Sequence, residues 1–450
     1  MTELADPRRA QVFRFVRHDW ADGVAELAYA YDDGPELVER IRFPQAPAPQ
    51  PQRQPAFAAA LRLLHLVAGV SYYKAGVPPR IAIDAGPLDD ASAGLLDTLY
   101  LDGLAEFAYR NGLDLRERIR FPRGAPAVPP ARPAGLSANT LVPIGGGKDS
   151  LVAIEAIKSI GADATVTWVG HSPLIAACAA RTGLPTLNIG RELSPLLFEY
   201  NRMGAWNGHI PVTAINSAIL ALAAVLYGHD SIAFANERSA SAATLEYQGR
   251  AVNHQWSKGL AFERAFGELL KAQVAADLDY CSLLRPFSEL AVTAAFARLG
   301  GDYFDVFSSC NRNFRILGPR PADRWCGQCP KCHFVFLALA PFMPKPRLLS
   351  ILGRNLLDDE SLAGAFDALM EYRDHKPFEC VGEGAEARAA MAALAARPEW
   401  AEDALVARFR REILPQLDRG ELALEPWLQA SPEHRVPARL GGALDAICTA

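Results

Sequence analysis

The sequence predicts an α/β fold with a central parallel sheet and helices on both of its faces. Between residues 140 and 235, short apolar runs that suit buried strands alternate with longer runs whose apolar residues recur at helical spacing. Such alternation is typical of a doubly wound parallel sheet. The first 130 residues instead combine β-type alternation with one strong helix, and the chain beyond residue 346 has a mostly helical pattern. We therefore expect four segments: an N-terminal α+β domain (1–130), an α/β domain (131–300), a cysteine segment (301–345) and a helical C-terminal region (346–450).

Composition and charge narrow the class of protein. With 450 residues, 50% of them hydrophobic, the chain can bury more than one core. The net charge of −5 shows none of the basic surplus that is typical of nucleic-acid binders, so we expect no nucleic-acid partner. The first residues lack the apolar stretch of a signal peptide, and the apolar run 218–227 is too short to cross a bilayer. We expect a cytoplasmic protein with no membrane partner, whose oligomeric state the composition does not predict.

A six-residue phrase occurs twice in the N-terminal segment. E-R-I-R-F-P stands at 39–44 and again at 117–122, on either side of a helix predicted at 55–75. Both copies alternate apolar and charged residues, which is typical of a half-exposed strand. We expect two equivalent strands, followed by a proline- and alanine-rich linker at 122–134.

A strand, a glycine turn and a helix follow one another at the start of the α/β domain. The apolar run 140–144 predicts a buried strand, three glycines end it, and 148–160 has apolar residues at helical spacing. Glycines let the backbone approach a ligand closely, and the free N–H groups of a helix N-terminus attract anions. The arrangement predicts a phosphate site, although the pattern fits neither G-x-x-x-x-G-K-[ST] nor G-x-G-x-x-G.

The phrase G-G-G-K-D-S at 145–150 resembles the pyrophosphate loop of the PP-loop ATP pyrophosphatases, whose usual form is S-G-G-x-D-S. The resemblance implies an adenine nucleotide alpha-hydrolase-like fold with ATP as a ligand. It implies that backbone amides and one hydroxyl hold pyrophosphate, from Gly145, Gly146, Gly147 and Ser150. Lys148 would offset the phosphate charge, and Asp149 would hold Mg²⁺. Gly145 stands where the family usually has serine, which removes one hydroxyl donor but leaves the amides.

Further β–α units follow the glycine turn. Strands are predicted at 164–170, 185–190 and 231–235, and helices at 174–182 and 212–227. Ligands of open α/β sheets bind beyond the carboxyl ends of the strands, so the loops after these strands are expected to surround one crevice. His171 follows the second strand and is expected in the nucleotide pocket, while Glu237 and Arg238 follow the fourth.

Four cysteines with the spacing C-x15-C-x2-C-x2-C predict a metal site: Cys310, Cys326, Cys329 and Cys332. Four thiolates on tight turns suit tetrahedral Zn²⁺, and an iron–sulfur cluster is the alternative. Because no ligand position is left open, we expect a structural zinc near the edge of the sheet. The run C-G-Q-C-P-K-C also resembles the zinc site of the PP-loop 7-cyano-7-deazaguanine synthases. Those chains are roughly half as long and lack counterparts of residues 1–130 and 350–450.

Short phrases that follow one another in order along the chain carry a more specific resemblance. They stand at 69–74, 143–150, 208–213, 235–240, 252–258, 326–332 and 376–382. Their order is similar to that in the ATP-dependent epimerases that act on UDP-N-acetyl-α-muramoyl-L-alanyl-L-glutamate. The resemblance implies an ATP- and Mg²⁺-dependent enzyme of peptidoglycan synthesis, which inverts the α-carbon of the terminal glutamate. It implies that the α-carboxylate is adenylated before its α-proton is removed, with release of AMP and pyrophosphate.

This chemistry gives candidate roles outside the glycine loop. Proton removal beside a free carboxylate would put two negative charges on one small unit, and adenylation removes that obstacle. Glu237 is expected to position the metal, and Arg238 the substrate carboxylates. His254 can titrate near neutral pH and is one candidate for the base; Cys380, near Lys376, is the other. A structural histidine and an inert thiol are the alternatives for these two residues.

Two other functions stay open. One is a PP-loop base-modifying enzyme resembling 7-cyano-7-deazaguanine synthase, which would need a deazaguanine or tRNA substrate. The absence of a basic surplus disfavours tRNA. The other is a nucleotide sensor without turnover, which the presence of Lys148, Asp149 and Ser150 disfavours.

Overall fold

The N-terminal part of the chain forms strands and helices that surround an aromatic core in the computed structural model, which describes residues 4–315 and 319–448. The strands are β1 (Val12–Ala21), β2 (Val24–Tyr31), β3 (Leu37–Arg42) and β4 (Arg80–Ile83). The helices are α1 (Gln54–Ala68), α2 (Val70–Gly76), α3 (Asp90–Gly103) and α4 (Ala105–Asn111). β1, β2 and β3 form an antiparallel ladder, and β4 pairs with β1 in parallel.

The central part alternates strands and helices, as the sequence predicts. Its strands are β5 (Ser137–Pro143), β6 (Ala164–Val169), β7 (Thr186–Glu192), β8 (His229–Phe234), β9 (Leu245–Tyr247), β10 (Arg250–Val252) and β11 (Asp279–Ser282). Its helices are α5 (Lys148–Ser159), α6 (Pro173–Arg181), α7 (Pro195–Arg202), α8 (Val212–Tyr227), α9 (Leu260–Leu269) and α10 (Glu289–Leu299). β11, β8, β5, β6 and β7 pair in parallel in that order, and β9 and β10 form a separate hairpin.

One antiparallel pairing joins these two parts into a single nine-stranded sheet with the order β11-β8-β5-β6-β7-β3-β2-β1-β4. β3 pairs with β7, with Ile41 opposite Arg191. At this junction the buried Glu39 Oε1 lies 2.7 Å from Arg191 Nε. Strands from both sides of the boundary expected near residue 130 therefore belong to the same sheet.

Neighbouring side chains along the parallel strands face two different cores, because successive residues of a strand point to opposite faces. Leu141 of β5 and Ile232 of β8 pack in one core with residues of α1 and α8. Val142 and Ala233 pack in the other core with residues of α5 and α10. Helices thus cover both faces of a large, mostly parallel sheet. This confirms the mixed α/β fold.

The stretch Pro51–Gly76, which includes α1 and α2, is long and apolar enough to cross a membrane by length and composition alone. Its most apolar window is 83% buried inside the protein. Burial on nearly every side is typical of a core helix, and α8 has the same character.

The C-terminal part is helical, as expected. Its helices are α11 (Pro330–Leu339), α12 (Lys345–Leu352), α13 (Ala363–Leu369), α14 (Gly384–Ala395), α15 (Ala404–Arg408), α16 (Glu425–Leu428) and α17 (Gly441–Cys448). Residues of α11 and α14 share the core that contains α5 and α10. The C-terminal helices therefore pack directly on the α/β part.

The two copies of E-R-I-R-F-P differ in structure. The first copy supplies most of β3, whereas residues 117–122 form a turn and a loop. The expectation of two equivalent strands is wrong. In the second copy, the Phe121 N–H donates a hydrogen bond to the Asp97 carboxylate at 2.7 Å rather than to a neighbouring strand.

Candidate active site

The glycine turn lies between β5 and the N-terminus of α5, at the carboxyl edge of the parallel strands. Gly146 has φ +76°, a conformation that favours glycine. The Gly145 N–H donates to Ser150 Oγ at 3.2 Å, which links the first and last residues of the predicted pyrophosphate loop. No side chain in the described part of the chain caps the N-terminus of α5. The first amides of this helix are therefore available for an anion, as a phosphate site requires.

Three carboxylates meet beside this turn. Asp149 at the start of α5, Glu237 after β8 and Glu289 at the start of α10 have oxygen atoms within 4.8 Å of one another. The fully buried Lys148 ammonium bonds to Asp149 at 2.5 Å and also to Glu289. Burial opposes the charge on Lys148, but these two carboxylates outweigh it and raise the pKa of the ammonium.

Asp149 and Glu237 differ in how far nearby lysines offset the effect of burial on their pKa values. Burial, together with Glu289 and Asp149, raises the pKa of Glu237 to about 7. Burial acts in the same sense on Asp149, but Lys148 and Lys331 outweigh it and lower the pKa of that carboxyl. Carboxylate oxygens are the protein ligands that Mg²⁺ prefers. These residues therefore fit Mg²⁺, and Glu289 adds a ligand to the set that the sequence predicts.

A second polar group contains both residues that the sequence puts forward as the base. His254 Nδ1 and Glu106 Oε2 are 2.5 Å apart, and Lys258 Nζ donates to Cys380 Sγ at 3.2 Å. Burial would raise the pKa of the Cys380 thiol, but Lys258 and a hydrogen bond with His254 outweigh it and lower the pKa to about 5. Burial likewise opposes the charge on His254, but bonds with Cys380 and Glu106 outweigh it and raise the pKa to about 9. The pair is a thiolate beside an imidazolium at neutral pH.

A neutral histidine lies on the other side of this group. The rings of His209 and His254 have centroids 4.3 Å apart. Burial and the charge on His254 lower the pKa of His209 to about 4. Glu106 lies 3.7 Å from His209 Nδ1, and its side chain is only 5% exposed. Its buried carboxylate therefore faces one neutral imidazole and one charged one, and supports the charge on His254.

The four cysteines lie close enough to bind one ion, with all sulfur atoms within 4.8 Å of one another. Cys332 Sγ is 3.8 Å from Cys326 Sγ and 3.4 Å from Cys329 Sγ. Tetrahedral zinc with Zn–S bonds of about 2.3 Å separates its sulfurs by about 3.8 Å. Ligands of an iron–sulfur cluster bind different iron atoms and lie further apart. The cysteine residues therefore fit Zn²⁺.

The segment that leads to Cys310 packs against the glycine turn. The Ser308 N–H donates to the Gly146 carbonyl at 2.9 Å, and a Cβ at Gly147 would lie 2.5 Å from Ser309 Oγ. The glycine turn follows β5, which has strands on both sides in the sheet. The segment before Cys310 therefore braces the predicted phosphate site at the end of a central strand, and the expected place of the cysteine group near the edge of the sheet stays a prediction.

Lys331, inside the cysteine run, connects the two polar groups. Its ammonium lies 3.5 Å from Glu289 Oε1 and donates a hydrogen bond to the Cys380 carbonyl oxygen. The side chain of Lys331 is 7% exposed. One buried cation therefore ties a carboxylate of the first group to the backbone of the thiolate in the second.

Two predicted site residues lie apart from both groups. His171 is exposed in the turn after β6 and is close enough to Glu192 to act on its pKa. Arg238 begins a short 3₁₀ turn, and its charge acts on Glu383, whose pKa burial nevertheless raises. Neither makes a bond to the carboxylates or to Cys380 within residues 4–315 and 319–448, so their roles stay predictions.

The sequence analysis missed Glu106 and Glu289 and assigned no role to Lys258 or Lys331. Glu289 directly follows Ser288, whose hydroxyl caps α10, so a helix-start signal was present. Lys331 stands within the cysteine run. Glu106 carries no local signal, because its partner His254 is 148 residues away.

The chain matches the MurL N-terminal domain over residues 4–283 and the MurL C-terminal domain over residues 306–423. The chain belongs to the MurL family. The two MurL matches include the α+β part and much of the helical C-terminal part. The resemblance to the 7-cyano-7-deazaguanine synthases does not extend to these two parts.

MurL relatives of similar length share the name UDP-N-acetyl-alpha-D-muramoyl-L-alanyl-L-glutamate epimerase. The protein from Xanthomonas oryzae pv. oryzae is 61% identical over 97% of this chain and 97% of its own. The protein from Salinispora tropica is 41% identical over 98% of this chain and 97% of its own. The protein from a Micromonospora species is 40% identical over 97% of this chain and 98% of its own.

Proposed function

We propose that this chain is an ATP- and Mg²⁺-dependent epimerase of peptidoglycan synthesis. It would convert the terminal L-glutamate of UDP-N-acetylmuramoyl-L-alanyl-L-glutamate to D-glutamate in the cytoplasm, with release of AMP and pyrophosphate. The name shared by its relatives supports the reaction and the substrate. The remaining support comes from the chemistry of the two polar groups.

One observation carries the proposal: the carboxylates beside the glycine turn adjoin the pair formed by Cys380 and His254, with Lys331 in contact with both groups. A nucleotide site by itself suits many reactions. An acid–base pair beside it suits a reaction in which a carboxylate is first activated and a neighbouring C–H bond is then broken. Epimerisation through an adenylate needs both parts.

In the first half-reaction, the substrate α-carboxylate would attack the α-phosphorus of ATP, forming an acyl adenylate and releasing pyrophosphate. The amides of the glycine turn and Ser150 would hold the pyrophosphate, and Lys148 would offset its charge. Mg²⁺, when bound, neutralises phosphate charge; Asp149, Glu237 and Glu289 would hold it. Arg238 would orient the carboxylates of the substrate.

In the second half-reaction, the α-carbon of the bound substrate would lie between Cys380 and His254, in place of their contact in the free protein. The Cys380 thiolate would take the α-proton from one face, and the His254 imidazolium would give a proton to the other. The adenylate withdraws electrons and removes the carboxylate charge, which makes the α-proton accessible to a base. A thiol and a neutral imidazole then remain. Because the two side chains form a hydrogen bond in the free protein, the thiol proton can return to His254. Water would finally hydrolyse the adenylate to AMP.

The decisive experiment is a reaction in D₂O with ATP, Mg²⁺ and the UDP-muramoyl dipeptide. We expect D-glutamyl product with deuterium at its α-carbon, together with AMP and pyrophosphate, and no incorporation of ammonia. His254→Gln should still release pyrophosphate but fail to invert the α-carbon, because glutamine cannot donate a proton near neutral pH. His375→Gln, at an exposed histidine, is the matched control.

Three results would contradict the proposal. Inversion that places no solvent deuterium at the α-carbon, in a single turnover of protein already equilibrated in D₂O, would exclude exchange through Cys380 and His254. Equal loss of adenylation and inversion in His254→Gln would make His254 a binding residue. AMP release that requires ammonia and a deazaguanine acid would favour the base-modifying alternative.

A further inference from the structure

We propose that Lys258 is a further catalytic residue, whose ammonium stabilises the carbonyl oxygen of the activated carboxyl group while the α-proton is removed. This role rests on the proposed epimerisation. The carboxylates hold phosphate and metal, and Cys380 holds the proton, but neither neutralises the charge that develops on that oxygen.

Lys258 lies between the two polar groups of the site. Its Nζ is 3.2 Å from Cys380 Sγ, and its charge acts on both Glu237 and Asp149. Lys331 also lies near both groups, but its ammonium is held by Glu289 and by the Cys380 carbonyl. Of these two lysines, Lys258 is the one whose ammonium contacts the reacting sulfur.

The backbone of Lys258 is fixed relative to the carboxylates. The residue ends a short 3₁₀ turn, where its N–H donates to the Gln255 carbonyl at 2.7 Å. Its own carbonyl accepts a hydrogen bond from Arg285, a buried residue that also donates to the Glu237 carbonyl at 2.7 Å. Arg285 is neutralised by Glu263 at 3.0 Å. One guanidinium thus sets the distance between the Lys258 and Glu237 backbones.

The bonding of an acyl adenylate determines where a stabilising cation must lie. The carbonyl carbon is bonded to the α-carbon, whose proton leaves, and to the oxygen that carries phosphorus. The carbonyl oxygen therefore lies between the base and the groups that hold the phosphates. Lys258 suits contact with this oxygen, because its ammonium contacts Cys380 Sγ and is also acted on by the charges of Glu237 and Asp149.

The proton transfer moves one negative charge past a fixed ammonium. The C–H bond breaks and an S–H bond forms at Cys380, while the C–H electron pair moves into the bond to the carbonyl carbon. The carbonyl π pair moves onto the oxygen, so the charge that leaves the sulfur appears there. The Lys258 ammonium pairs with the thiolate before the step and with the enolate oxygen after it. Such a prepositioned cation needs no reorganisation during the reaction.

The charge state of Lys258 suits this role. Burial would lower the pKa of its ammonium, but the charges of Cys380 and Glu237 outweigh burial and raise it. The lysine therefore stays protonated at neutral pH, and it cannot itself serve as the base.

Lys258→Met and Lys258→Arg test the proposal, with Lys271→Met as the control at a lysine that is 46% exposed and pairs with Asp279. Substrate-dependent pyrophosphate release reports adenylation, and deuterium at the α-carbon reports proton exchange. The pH dependence of Cys380 alkylation, read from its peptide by mass spectrometry, reports the thiol pKa. That pKa depends on His254 and Lys331 as well as Lys258, and all three variants leave His254 and Lys331 in place.

In Lys258→Met we expect proton exchange to fall about 10²–10³-fold, the loss typical of removing one stabilising donor, with little change in pyrophosphate release. The Cys380 alkylation curve should move to higher pH, and Lys258→Arg should restore part of both. Exchange is then compared with that of wild type at the same pH, above the shifted thiol pKa, because His254 also loses its proton at alkaline pH. If Lys258 stabilises the oxyanion, Lys258→Met should still exchange the α-proton more slowly than wild type at this pH, because the thiolate is present but the ammonium is not.

Other outcomes would overturn the role. Full recovery of exchange at high pH would show that Lys258 only sets the thiolate state. Equal loss of pyrophosphate release and exchange would assign Lys258 to substrate or ATP binding. Normal exchange in Lys258→Met, with active wild type, would remove this residue from the step and leave the epimerase proposal intact. An inactive wild type would overturn both.

Discussion

Two ends of the candidate site carry charge in different ways: a nucleotide end formed by Asp149, Glu237 and Glu289, and a proton-transfer end formed by Glu106, His254 and Cys380. At the nucleotide end, neighbouring carboxylates act in the same direction, and with burial they raise the pKa of Glu237 to about 7. At the proton-transfer end, opposite charges move the pKa values of Cys380 and His254 to about 5 and about 9. The first end thus groups like charges beside buried lysines, whereas the second pairs a thiolate with an imidazolium.

This difference matches the two kinds of chemistry in the proposed reaction. Phosphate transfer proceeds with a bound metal ion, so a site with three carboxylates beside a glycine turn suits it. Proton transfer requires an acid and a base already in their reacting states, since each must act within one bound substrate. The cysteine segment connects the two ends through Lys331, so a metal bound by its cysteines would be expected to affect both.

The largest effect is expected from Cys329→Ser, which should disable both the nucleotide end and the proton-transfer end. Loss of one of four ligands should release zinc and lower the free energy of unfolding by several kcal/mol, as for other structural zinc sites. Adenylation and proton exchange should fall together. Elemental analysis and denaturant unfolding measure the effect, and chelation followed by zinc addition to wild type is the control. Iron with acid-labile sulfide would contradict the zinc assignment.

Asp149→Asn should disable the nucleotide end while the fold survives. Its side chain is 25% exposed, and the change keeps its shape but removes a charge that would bind Mg²⁺. We expect substrate-dependent AMP formation to fall about 10²–10³-fold, with proton exchange lost as a consequence. Thermal unfolding should show a folded protein. Asp163→Asn, at an exposed aspartate, is the control, and full activity in Asp149→Asn would contradict the assignment.

Cys380→Ser should disable only the proton-transfer end. A hydroxyl does not ionise near neutral pH, so the variant lacks the base but keeps the nucleotide end. Proton exchange should fall about 10²–10⁴-fold, the usual range for loss of a general base, while pyrophosphate release continues. Cys448→Ser, at an exposed cysteine, should behave as wild type. Persistent exchange in Cys380→Ser would shift the role of base to another residue.

The smallest effect is expected from Glu106→Gln, which should alter the pH dependence of the proton-transfer end. In wild type, the kcat/KM for exchange should fall below pH about 5 as Cys380 gains a proton, and above pH about 9 as His254 loses one. Glu106 stabilises the imidazolium, so its loss lowers the His254 pKa. The alkaline limb should therefore move to lower pH.

Arg110→Met is the control for this variant. Arg110 is another partner of Glu106, at 2.6 Å, and is 53% exposed. Its removal leaves the bond between Glu106 and His254 in place, so the alkaline limb should stay near the wild-type value. An unchanged profile in Glu106→Gln would show that Glu106 does not set the state of His254.

The nucleotide end could be largely anticipated from the sequence, because much of it is local. Residues 145–150 are consecutive, and the apolar run before them and the helical spacing after them place them at a strand end and a helix start. The ligand spacing of the cysteines is equally local. Glu237 was predicted from its place after a parallel strand, whereas Glu289 is brought in by the packing of α10 on α5.

The proton-transfer end could be anticipated only in part. His254 and Cys380 stand out by residue type, but nothing in the sequence indicates that they touch each other or Glu106. Their contact depends on α4, the segment after the β9–β10 hairpin and the loop before α14 meeting in space. Residues 148 positions apart, such as Glu106 and His254, are joined by packing that no local pattern records.

The repeated E-R-I-R-F-P phrase separates what the sequence determined from what the tertiary structure decided. Apolar spacing determined burial, since Ile41 and Phe43 in the first copy and Ile119 and Phe121 in the second are all buried. Apolar spacing did not determine the backbone conformation of the two copies. The first copy lies between β2 and β7, which both pair with its peptide groups, and it becomes a strand. In the second copy, the Phe121 N–H donates to the carboxylate of Asp97, and no strand forms. A strand needs hydrogen-bonding partners for its peptide groups, and only the rest of the fold can supply them.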